Sequence, residues 1–327
     1  MLLIKNNYIF CLILVFILIS GCGQKQDHSL NSTNQINSTL KGVTLTPKSF
    51  QSSDFNEFFV KANQAGSLVA WAGDWNELGE NDGGPKVVAE LAPTYGYTPV
   101  IEVQFFTQSD GNMIREFDDN TKMDYKAKAV AFAEKYKPEY FGLGIEVNIL
   151  YEKSESDFND FVSFYSEVYD AIKQKSPNTK VFTVFQLEKM KGLGFFNTPN
   201  SSSQWSLLNK FPKSDIIAFT TYPDLVYSSP SDIPDEYYGE IKAHTSKPIA
   251  FTEIGWHTAA EPSGWESSEN EQSEFLSIFF NQTSVLNKEF IIWSFLYDQN
   301  TIQPFDSMGL IDEYGTSKLA WNVWINN

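Results

Sequence analysis

The sequence predicts an α/β fold, a single-domain (β/α)8 TIM barrel. From residue 41 onward, short β-rich segments alternate with longer amphipathic ones, which is typical of parallel strands joined by helices. Eight strand candidates can be counted, and no second change of composition marks a domain boundary. Eight strand-and-helix units need about 250 residues. The segment 41–327 is long enough to supply them.

Each predicted strand is a short run rich in β-branched and aromatic residues. In chain order the runs are residues 42–46, 67–72, 98–105, 139–146, 179–185, 215–221, 248–254 and 289–296. The predicted helices are residues 84–94, 125–136, 157–174, 271–283 and 317–326. The helix 157–174 has apolar side chains at steps of three and four, and Ser154 or Ser156 is its predicted cap. The last helix is predicted to open at Ser317.

The first 21 residues have the pattern of an export signal. Lys5 precedes an apolar run of twelve residues, 8–19, and a finished membrane-spanning helix needs about 20. The run ends in Ile19-Ser20-Gly21-Cys22, which resembles the lipobox of prokaryotic lipoproteins. That resemblance implies cleavage before Cys22, lipidation of Cys22 and a lipid-anchored location in the cell envelope. An ordinary cleaved signal and an uncleaved anchor remain alternatives.

Residues 22–40 are rich in Ser, Asn, Gln and Thr without apolar periodicity, and they are predicted to be a flexible tether. The remainder, residues 41–327, is predicted to be one barrel domain. Because Cys11 would leave with the signal, no disulfide can form within the mature chain. The barrel must therefore be stabilised by its own core.

The formal net charge of −17 disfavours nucleic acid and polyanionic substrates, which would be repelled, but leaves neutral glycans unaffected. The three histidines, His28, His244 and His257, are too dispersed to predict a metal site. No glycine-rich phosphate loop is present. We therefore expect a monomer without a metal or another cofactor.

Two glutamates end predicted strands: Glu146 ends the fourth and Glu253 the seventh. Side chains alternate along a strand, so each glutamate is predicted to share a face with every second residue before it. Those residues are Tyr140, Gly142 and Gly144 for the first and Ile249 and Phe251 for the second. Active sites of such barrels lie at the carboxyl ends of the strands. Two carboxylates facing each other there are the groups that cleave a glycosidic bond.

With these residues the chain resembles the glycoside hydrolases of clan A, retaining (β/α)8 glycosidases that include endo-galactanases, cellulases and mannanases. The most specific match is Thr252-Glu253-Ile254-Gly255-Trp256, and Thr221-Tyr222-Pro223 and Ile292-Trp293-Ser294-Phe295 match two further segments. The resemblance implies that Glu146 is the acid/base and Glu253 the nucleophile. It also implies that Tyr222 hydrogen-bonds the nucleophile and that Trp293 floors the sugar subsite.

One position departs from the clan. Asn normally precedes the acid/base and binds the sugar 2-hydroxyl, but this chain has Ile145 there. Asn148 is predicted to substitute for it in part. Trp71, Trp75 and Trp256 are predicted to be sugar-stacking platforms at the rim, and Glu102 and Gln186 to contact sugar hydroxyls.

The main hypothesis is a surface-anchored retaining glycosidase that acts on a neutral β-linked oligo- or polysaccharide. The second is a catalytically silent, carbohydrate-binding barrel lipoprotein, which Ile145 favours. The third is a transporter-linked solute-binding lipoprotein with two α/β lobes. This last hypothesis predicts that Glu146 and Glu253 do not converge.

Overall fold

The computed structural model of the chain describes residues 39–260 and 262–327. The predicted signal, nearly all of the predicted tether and Cys22 lie outside the described residues. Among the described residues, no helix is both long and apolar enough to cross a membrane. The described chain forms a sheet of nine strands in the order β5-β4-β3-β2-β1-β9-β8-β7-β6, and every neighbouring pair is parallel.

The strands have the following bounds: β1 Leu40–Thr44, β2 Leu68–Asp74, β3 Thr98–Gln104, β4 Tyr140–Leu143, β5 Lys180–Phe182, β6 Val184–Gln186, β7 Ile217–Thr221, β8 Ile249–Ile254 and β9 Lys288–Trp293. All eight predicted strands are present. The fifth is divided into β5 and β6, which only Thr183 separates. β5 pairs with β4, and β6 pairs with β7. The divided strand therefore counts as one strand and closes a ring of eight. The predicted (β/α)8 barrel is confirmed.

The α-helices are α1 Ser52–Ala65, α2 Gly84–Tyr95, α3 Asp119–Tyr136, α4 Val147–Lys153, α5 Glu155–Lys175, α6 Leu187–Met190, α7 Glu269–Gln282 and α8 Leu319–Asn326. Five of them are the predicted ones. Ser154 caps α5, because its hydroxyl accepts a hydrogen bond of 3.3 Å from the Asp157 amide. The predicted start of the last helix is wrong: α8 follows Lys318, and its first amide, that of Leu319, is bonded by Glu269 instead of Ser317.

The barrel is irregular on one side. Residues 187–248 are all described, and α6 with four residues is their only α-helix. Short 3-10 turns take the place of the longer helices there, at Trp205–Lys210, Pro223–Leu225, Pro230–Asp232 and Gly239–Ala243. Further 3-10 turns lie at Trp75–Gly79, Thr283–Val285 and Phe305–Ser307. The segment after β7 therefore runs as a long connection beside the carboxyl end of the barrel.

Side chains from the strands divide between two apolar clusters, as alternation requires. One cluster fills the barrel interior: Leu68, Ala70, Ala72, Val100, Tyr140, Ile145, Phe182, Val184, Ile216, Ala218, Ala250, Phe290 and Ile292. The other lies between the strands and the helices and includes Val69, Phe251 and Phe279. The interior cluster fills the barrel, and Glu146 and Glu253 lie beyond it, at the carboxyl ends of their strands.

Candidate active site

Glu146 lies past the end of its strand. β4 ends at Leu143, and the chain then turns through Gly144 at φ 83° and Glu146 at φ 56° into α4. The prediction of unbroken alternation from Tyr140 to Glu146 is therefore wrong. The turn is held from β3, because Gln104 Nε2 donates a 2.8 Å hydrogen bond to the Ile145 carbonyl. A non-glycine residue with positive φ is strained, and such strain concentrates at functional sites.

Glu253 reaches the interior through a β-bulge. Phe219 of β7 is opposite Phe251, but the next residue, Thr220, is opposite Glu253, so that Thr252 is the extra residue. Phe251 lies in the outer cluster with Ile249, and Ala250 lies in the interior. The predicted face shared by Ile249, Phe251 and Glu253 is therefore wrong. The bulge reverses the alternation, and this brings Glu253 to the barrel interior.

Hydroxyl groups hold both carboxylates at one mouth. Thr220 Oγ1 donates to Glu146 Oε1 at 2.6 Å, and the same Thr220 is the strand partner of Glu253. Tyr222 Oη donates to Glu253 Oε2 at 2.6 Å and lies 2.8 Å from Ser294 Oγ. The structure thus brings Glu146, Glu253 and Tyr222 together. Sequence reasoning missed Thr220 and Ser294, although each lies within two residues of a residue that it singled out.

The two carboxyl groups influence each other electrostatically. Burial, and after it the negative charge of Glu253, raises the pKa of Glu146 to about 7, against the lowering effect of the Thr220 hydroxyl. Burial also raises the pKa of Glu253, while the hydrogen bond from Tyr222 lowers it. A carboxyl group with a pKa near neutrality can both donate and accept a proton at physiological pH. Glu146 has this property.

The predicted platforms Trp293 and Trp256 do not face the mouth. Trp293 is fully buried in the outer cluster, and its Nε1 donates to the Met308 carbonyl at 2.8 Å. Trp256 is also fully buried, and it stacks on Phe275 of α7 with 5.3 Å between ring centroids. Neither ring is presented to a sugar. Ile291 and Trp293 of β9 lie in the outer cluster, whereas Phe290 and Ile292 lie in the interior one, and this register opposes the role that the resemblance implied for Trp293.

Trp71 and Trp75 also belong to the outer core. The Trp71 indole lies against the backbones of Gly73 and Gly84, between β2 and α2. Trp75 stacks on Tyr125 of α3 with 5.1 Å between ring centroids. Both predicted platforms are therefore packing residues.

The amide group of Asn148 joins α4 to the end of β6 and to Gln204, and the amide group of Gln186 bonds the start of α6. Asn148 is fully buried, and its Nδ2 donates to the Gln186 carbonyl and to Gln204 Oε1, both at 3.0 Å. Gln186 Oε1 accepts from the Lys189 amide at 2.7 Å, and its Nε2 donates to Glu188. Asn148 thus has no free N–H for a sugar hydroxyl, and the side chain of Gln186 caps α6. The predicted sugar contacts of both residues are wrong for this reason.

Another set of apolar side chains packs together beside the Glu253 carboxylate: Tyr222, Leu225 and Met308, with the partly exposed Phe195, Phe295 and Phe305 packed against them. The Phe305 ring stands edge-on to Tyr222, with 5.1 Å between centroids. The sequence singled out Trp71, Trp75 and Trp256 because they lie near the ends of predicted strands, and the resemblance singled out Trp293. Phe295, two residues after Trp293 and beyond the end of β9, is the aromatic residue of that segment that packs beside Tyr222.

Two further buried polar groups lie beside this mouth. Glu188 accepts hydrogen bonds from Thr221 Oγ1 at 2.6 Å and Tyr237 Oη at 2.7 Å. His257 Nδ1 lies 2.8 Å from Asp224 Oδ2, and its Nε2 lies 2.6 Å from the Trp265 carbonyl. Within residues 39–260 and 262–327, no group of three or more His, Cys, Asp or Glu side chains is arranged to hold a metal ion.

Comparison with solved structures finds the same barrel in glycoside hydrolases. The chain is similar to a family 39 glycoside hydrolase from Bacteroides cellulosilyticus WH2, with a TM-score of 0.60 and 14% identity over 88% of this chain and 62% of the other. It is similar to a GH2 β-galacturonidase from Eisenbergiella tayi, with a TM-score of 0.58 and 15% identity over 88% and 50% of the two chains. It is also similar to a psychrophilic family 10 endo-β-1,4-xylanase, with a TM-score of 0.59 and 13% identity over 88% and 96%.

The chain spans 62% and 50% of the lengths of the first two of these enzymes. No protein-family model and no curated protein matches the sequence. At 13–15% identity these similarities establish the fold, a (β/α)8 barrel of the kind found in glycoside hydrolases.

Proposed function

We propose that this protein is a retaining glycoside hydrolase that cleaves a neutral β-linked oligo- or polysaccharide. One observation carries the proposal: Glu146 and Glu253 converge at the carboxyl end of the barrel, each on its own hydroxyl donor, and the pKa of Glu146 is raised to about 7. The structural neighbours support it, since their fold is shared and all are glycoside hydrolases.

The proposed reaction is a double displacement. The Glu253 carboxylate, oriented by Tyr222, attacks the anomeric carbon while Glu146 donates its proton to the leaving glycosidic oxygen. This step forms a glycosyl ester on Glu253 and releases the alcohol. Glu146, now ionised, removes a proton from water, and the resulting hydroxide displaces Glu253 from the anomeric carbon. Both carboxyl groups return to their starting states, and the configuration is retained.

We propose a neutral substrate because of charge. The formal net charge is −17, and the chain's one arginine, Arg115, is already paired with Asp74 through hydrogen bonds of 2.7 and 2.6 Å. A sugar carboxylate would meet a negative field without a free guanidinium to bind it. The galacturonidase among the structural neighbours therefore does not indicate a uronide substrate for this chain.

The test uses a panel of aryl β-glycosides and neutral β-glycans with wild type, Glu253→Ala and Glu146→Gln. We expect hydrolysis by wild type alone, with retained configuration in the first product seen by proton NMR. Glu188→Gln is a control in which a buried glutamate beside the mouth is changed, one that is hydrogen-bonded to Thr221 and Tyr237 and to neither Glu146 nor Glu253. Inverted product, or unaltered rates in Glu253→Ala, contradicts the proposal.

The second candidate is the catalytically silent sugar-binding barrel, which Ile145 favours because it places an apolar side chain where the clan has Asn. It predicts that wild type and Glu253→Ala bind the same glycan with the same affinity and that neither hydrolyses it. The two-lobed solute-binding alternative is excluded, since residues 39–260 and 262–327 form one barrel around one interior core.

We further propose that the domain is anchored in the cell envelope through lipidated Cys22. The lipobox-like segment before Cys22 supports this. Labelled fatty acid supplied to expressing cells is expected to be incorporated into wild type and not into Cys22→Ala. Equal labelling of both proteins contradicts the anchor.

A further inference from the structure

A third carboxyl group lies between the interior cluster and the proposed catalytic pair. Glu102 of β3 is 1% exposed, and its strand partners are the small residues Ala72 and Gly142. A Cβ built on Gly142 would lie 3.0 Å from Glu102 Cγ, so the glutamate side chain occupies the space that this glycine leaves. β3 and β8 are separated by four steps around the barrel. Glu102 therefore approaches Glu253 from the opposite wall.

The carboxyl of Glu102 makes no hydrogen bond of good geometry within the described residues, and its polar neighbour is the hydroxyl of Thr252, which is also buried and unbonded. Glu102 Oε2 is buried and has no hydrogen-bond partner in the part of the chain that the structure describes. Burial first, and the charge of Glu253 second, raise the pKa of Glu102 well above its ordinary value. The neutral form of the carboxyl, which carries an O–H donor, is therefore favoured more than in an exposed glutamate. Buried polar groups are nearly always bonded, and a ligand hydroxyl beside Glu102 and Thr252 would give both groups a partner.

The residue that would make this contact in the related clan is absent. Ile145 is fully buried in the interior cluster and offers no side-chain donor or acceptor. The side-chain amide groups of Asn148 and Gln186 are hydrogen-bonded to other protein groups. Of the polar residues predicted to contact the sugar, Glu102 alone keeps an unused polar atom.

We propose that Glu102 forms the floor of the sugar subsite and that its carboxyl group hydrogen-bonds one hydroxyl of the neutral sugar held between Glu146 and Glu253. This inference rests on the proposed function and deepens it. Glu102 is the specificity-determining residue: it selects sugars that present a hydroxyl toward the barrel axis. A site built around such a bond strongly rejects the deoxy analogue, because the buried group is then left unpaired.

The first test compares Glu102→Gln with Glu102→Leu. Gln preserves the shape and an N–H donor, and Leu removes every polar atom. We expect kcat/KM for the best substrate to stay within a few-fold of wild type in the Glu102→Gln variant. In the Glu102→Leu variant it should fall about 10- to 100-fold. Monodeoxy substrates identify the hydroxyl: for the one that lacks it, wild type and Leu should be equally slow. Equal kcat/KM in wild type and Leu, or equal losses in Gln and Leu, overturns the proposal.

Thermal unfolding separates this role from a structural one. An unbonded buried carboxyl destabilises the fold, so the Leu variant should unfold at the same temperature as wild type or above it. A clear drop in Tm for Leu, together with rescue by Gln, would identify Glu102 as a residue that supports the fold. That result overturns the proposal.

The pH profile tests the protonation state. Removal of a neutral acid leaves the pKa of Glu146 in place, so the Gln variant should keep the alkaline limb of wild type. If Glu102 were ionised, Gln would remove a like charge and shift that limb to lower pH. Such a shift overturns the neutral state.

Failure of the proposed function can be recognised separately. If wild type hydrolyses no glycoside of the panel, calorimetric titration with neutral monosaccharides and their deoxy analogues provides a readout without turnover. Weaker binding by Glu102→Leu, restored in Glu102→Gln, supports the floor contact even then. Equal binding by all three proteins, or no binding by wild type, overturns it.

Discussion

The two proposed catalytic carboxyl groups differ in the hydroxyl that each one accepts. Glu146 accepts from Thr220, a strand residue, and Glu253 accepts from Tyr222, whose hydroxyl also lies beside Ser294. Each hydrogen bond favours the ionised form and so lowers the pKa of its carboxyl group. Removal of each donor should therefore move a different limb of the pH profile.

Thr220→Val removes the donor to Glu146 without changing the side-chain shape. The pKa of Glu146 then rises above about 7, because burial and Glu253 are no longer opposed by this bond. Glu146 must be protonated to assist the leaving group, so the alkaline limb of kcat/KM moves to higher pH. A pH series on one aryl glycoside measures this shift, and a limb that moves down contradicts the assignment of Glu146.

Tyr222→Phe removes the donor to Glu253, and the pKa of that carboxyl rises further. Glu253 must be ionised to attack, so the acid limb moves to higher pH. A hydrogen bond to a charged group is worth about 1.5–3 kcal/mol, and kcat/KM should fall about 10- to 100-fold at the optimum. Tyr237→Phe is a control, since Tyr237 donates to Glu188. Equal pH profiles for both variants would contradict the role of Tyr222.

At the scale of single residues, the sequence correctly predicted that Glu146, Glu253 and Tyr222 lie close together. The unbroken alternation by which it placed the two glutamates is wrong. Strict alternation fails at both, once through a positive φ at Glu146 and once through the bulge at Thr252. Trp71, Trp75 and Trp256 were assigned to the rim for their position near strand ends, and Trp293 was assigned to the subsite floor by the resemblance. Whether a ring faces the mouth or the helices depends on the register of its strand. Trp293 lies in the outer cluster, and a shift of one residue along β9 would turn its side chain to the interior.

At the scale of elements, the turn between β4 and α4 sets the position of Glu146. Gly144 has φ 83°, and a Cβ there would lie 2.8 Å from both Phe161 Cζ and Val147 Cγ1. The positive φ and the lack of space therefore both disfavour any residue with a Cβ in place of Gly144.

Gly144→Ala is expected to lower the free energy of unfolding by about 1–3 kcal/mol from strain, with a further loss from crowding. It should also lower activity, because Glu146 shifts with the turn. Gly96→Ala is the matched control: Gly96 has φ 75° with nothing within 4 Å of a Cβ, and it lies at the end of α2. Denaturant titrations and activity assays measure both effects. Equal stability losses and full activity in both variants would contradict the proposed role of the turn.

In the segment after β8, His257 is hydrogen-bonded to the Asp224 carboxylate and to the Trp265 carbonyl. Burial lowers the pKa of His257, but the hydrogen bonds to the Asp224 carboxylate and the Trp265 carbonyl outweigh it, and the net pKa is raised. Because both ring nitrogens face acceptors, the imidazolium is the favoured form. A raised pKa stabilises the fold fully below the unfolded value of about 6.5, and this stability is lost as pH rises through the folded pKa.

His257→Gln is therefore expected to be less stable than wild type by about 1.5–3 kcal/mol in mild acid, with the difference shrinking in alkali. Thermal unfolding of both proteins across the pH range measures it. A gap that widens as pH rises would show that the neutral ring is the favoured form.

At the scale of the whole molecule, the net charge of −17 sets the electrostatic field that a substrate meets. For a neutral glycan, kcat/KM should be unchanged between about 0.01 M and 1 M salt, where the screening length falls from about 30 Å to about 3 Å. An anionic polymer should be hydrolysed poorly at low salt and better at high salt, since screening relieves repulsion. Activity on polygalacturonate that falls with salt would contradict a neutral substrate.

The barrel could be predicted from the sequence because its strands are short, buried apolar runs that alternate with longer segments. β-propensity located all eight, and it did not reveal the break at Thr183. The helix α1 was missed, although Phe58, Phe59, Ala62 and Ala65 have helical spacing and are buried. The helix-poor segment 187–248 follows no periodic pattern, and its position depends on tertiary contacts such as those of Glu188.

The most direct test of the central claim is covalent trapping of the nucleophile. Wild type incubated with 2-deoxy-2-fluoro aryl β-glycosides of several sugar configurations should release one equivalent of aglycone with the matching sugar. Peptide mass spectrometry should then find that sugar esterified to Glu253. A matching sugar attached to another residue, or turnover of the parent glycoside without a covalent adduct, would contradict Glu253 as the nucleophile.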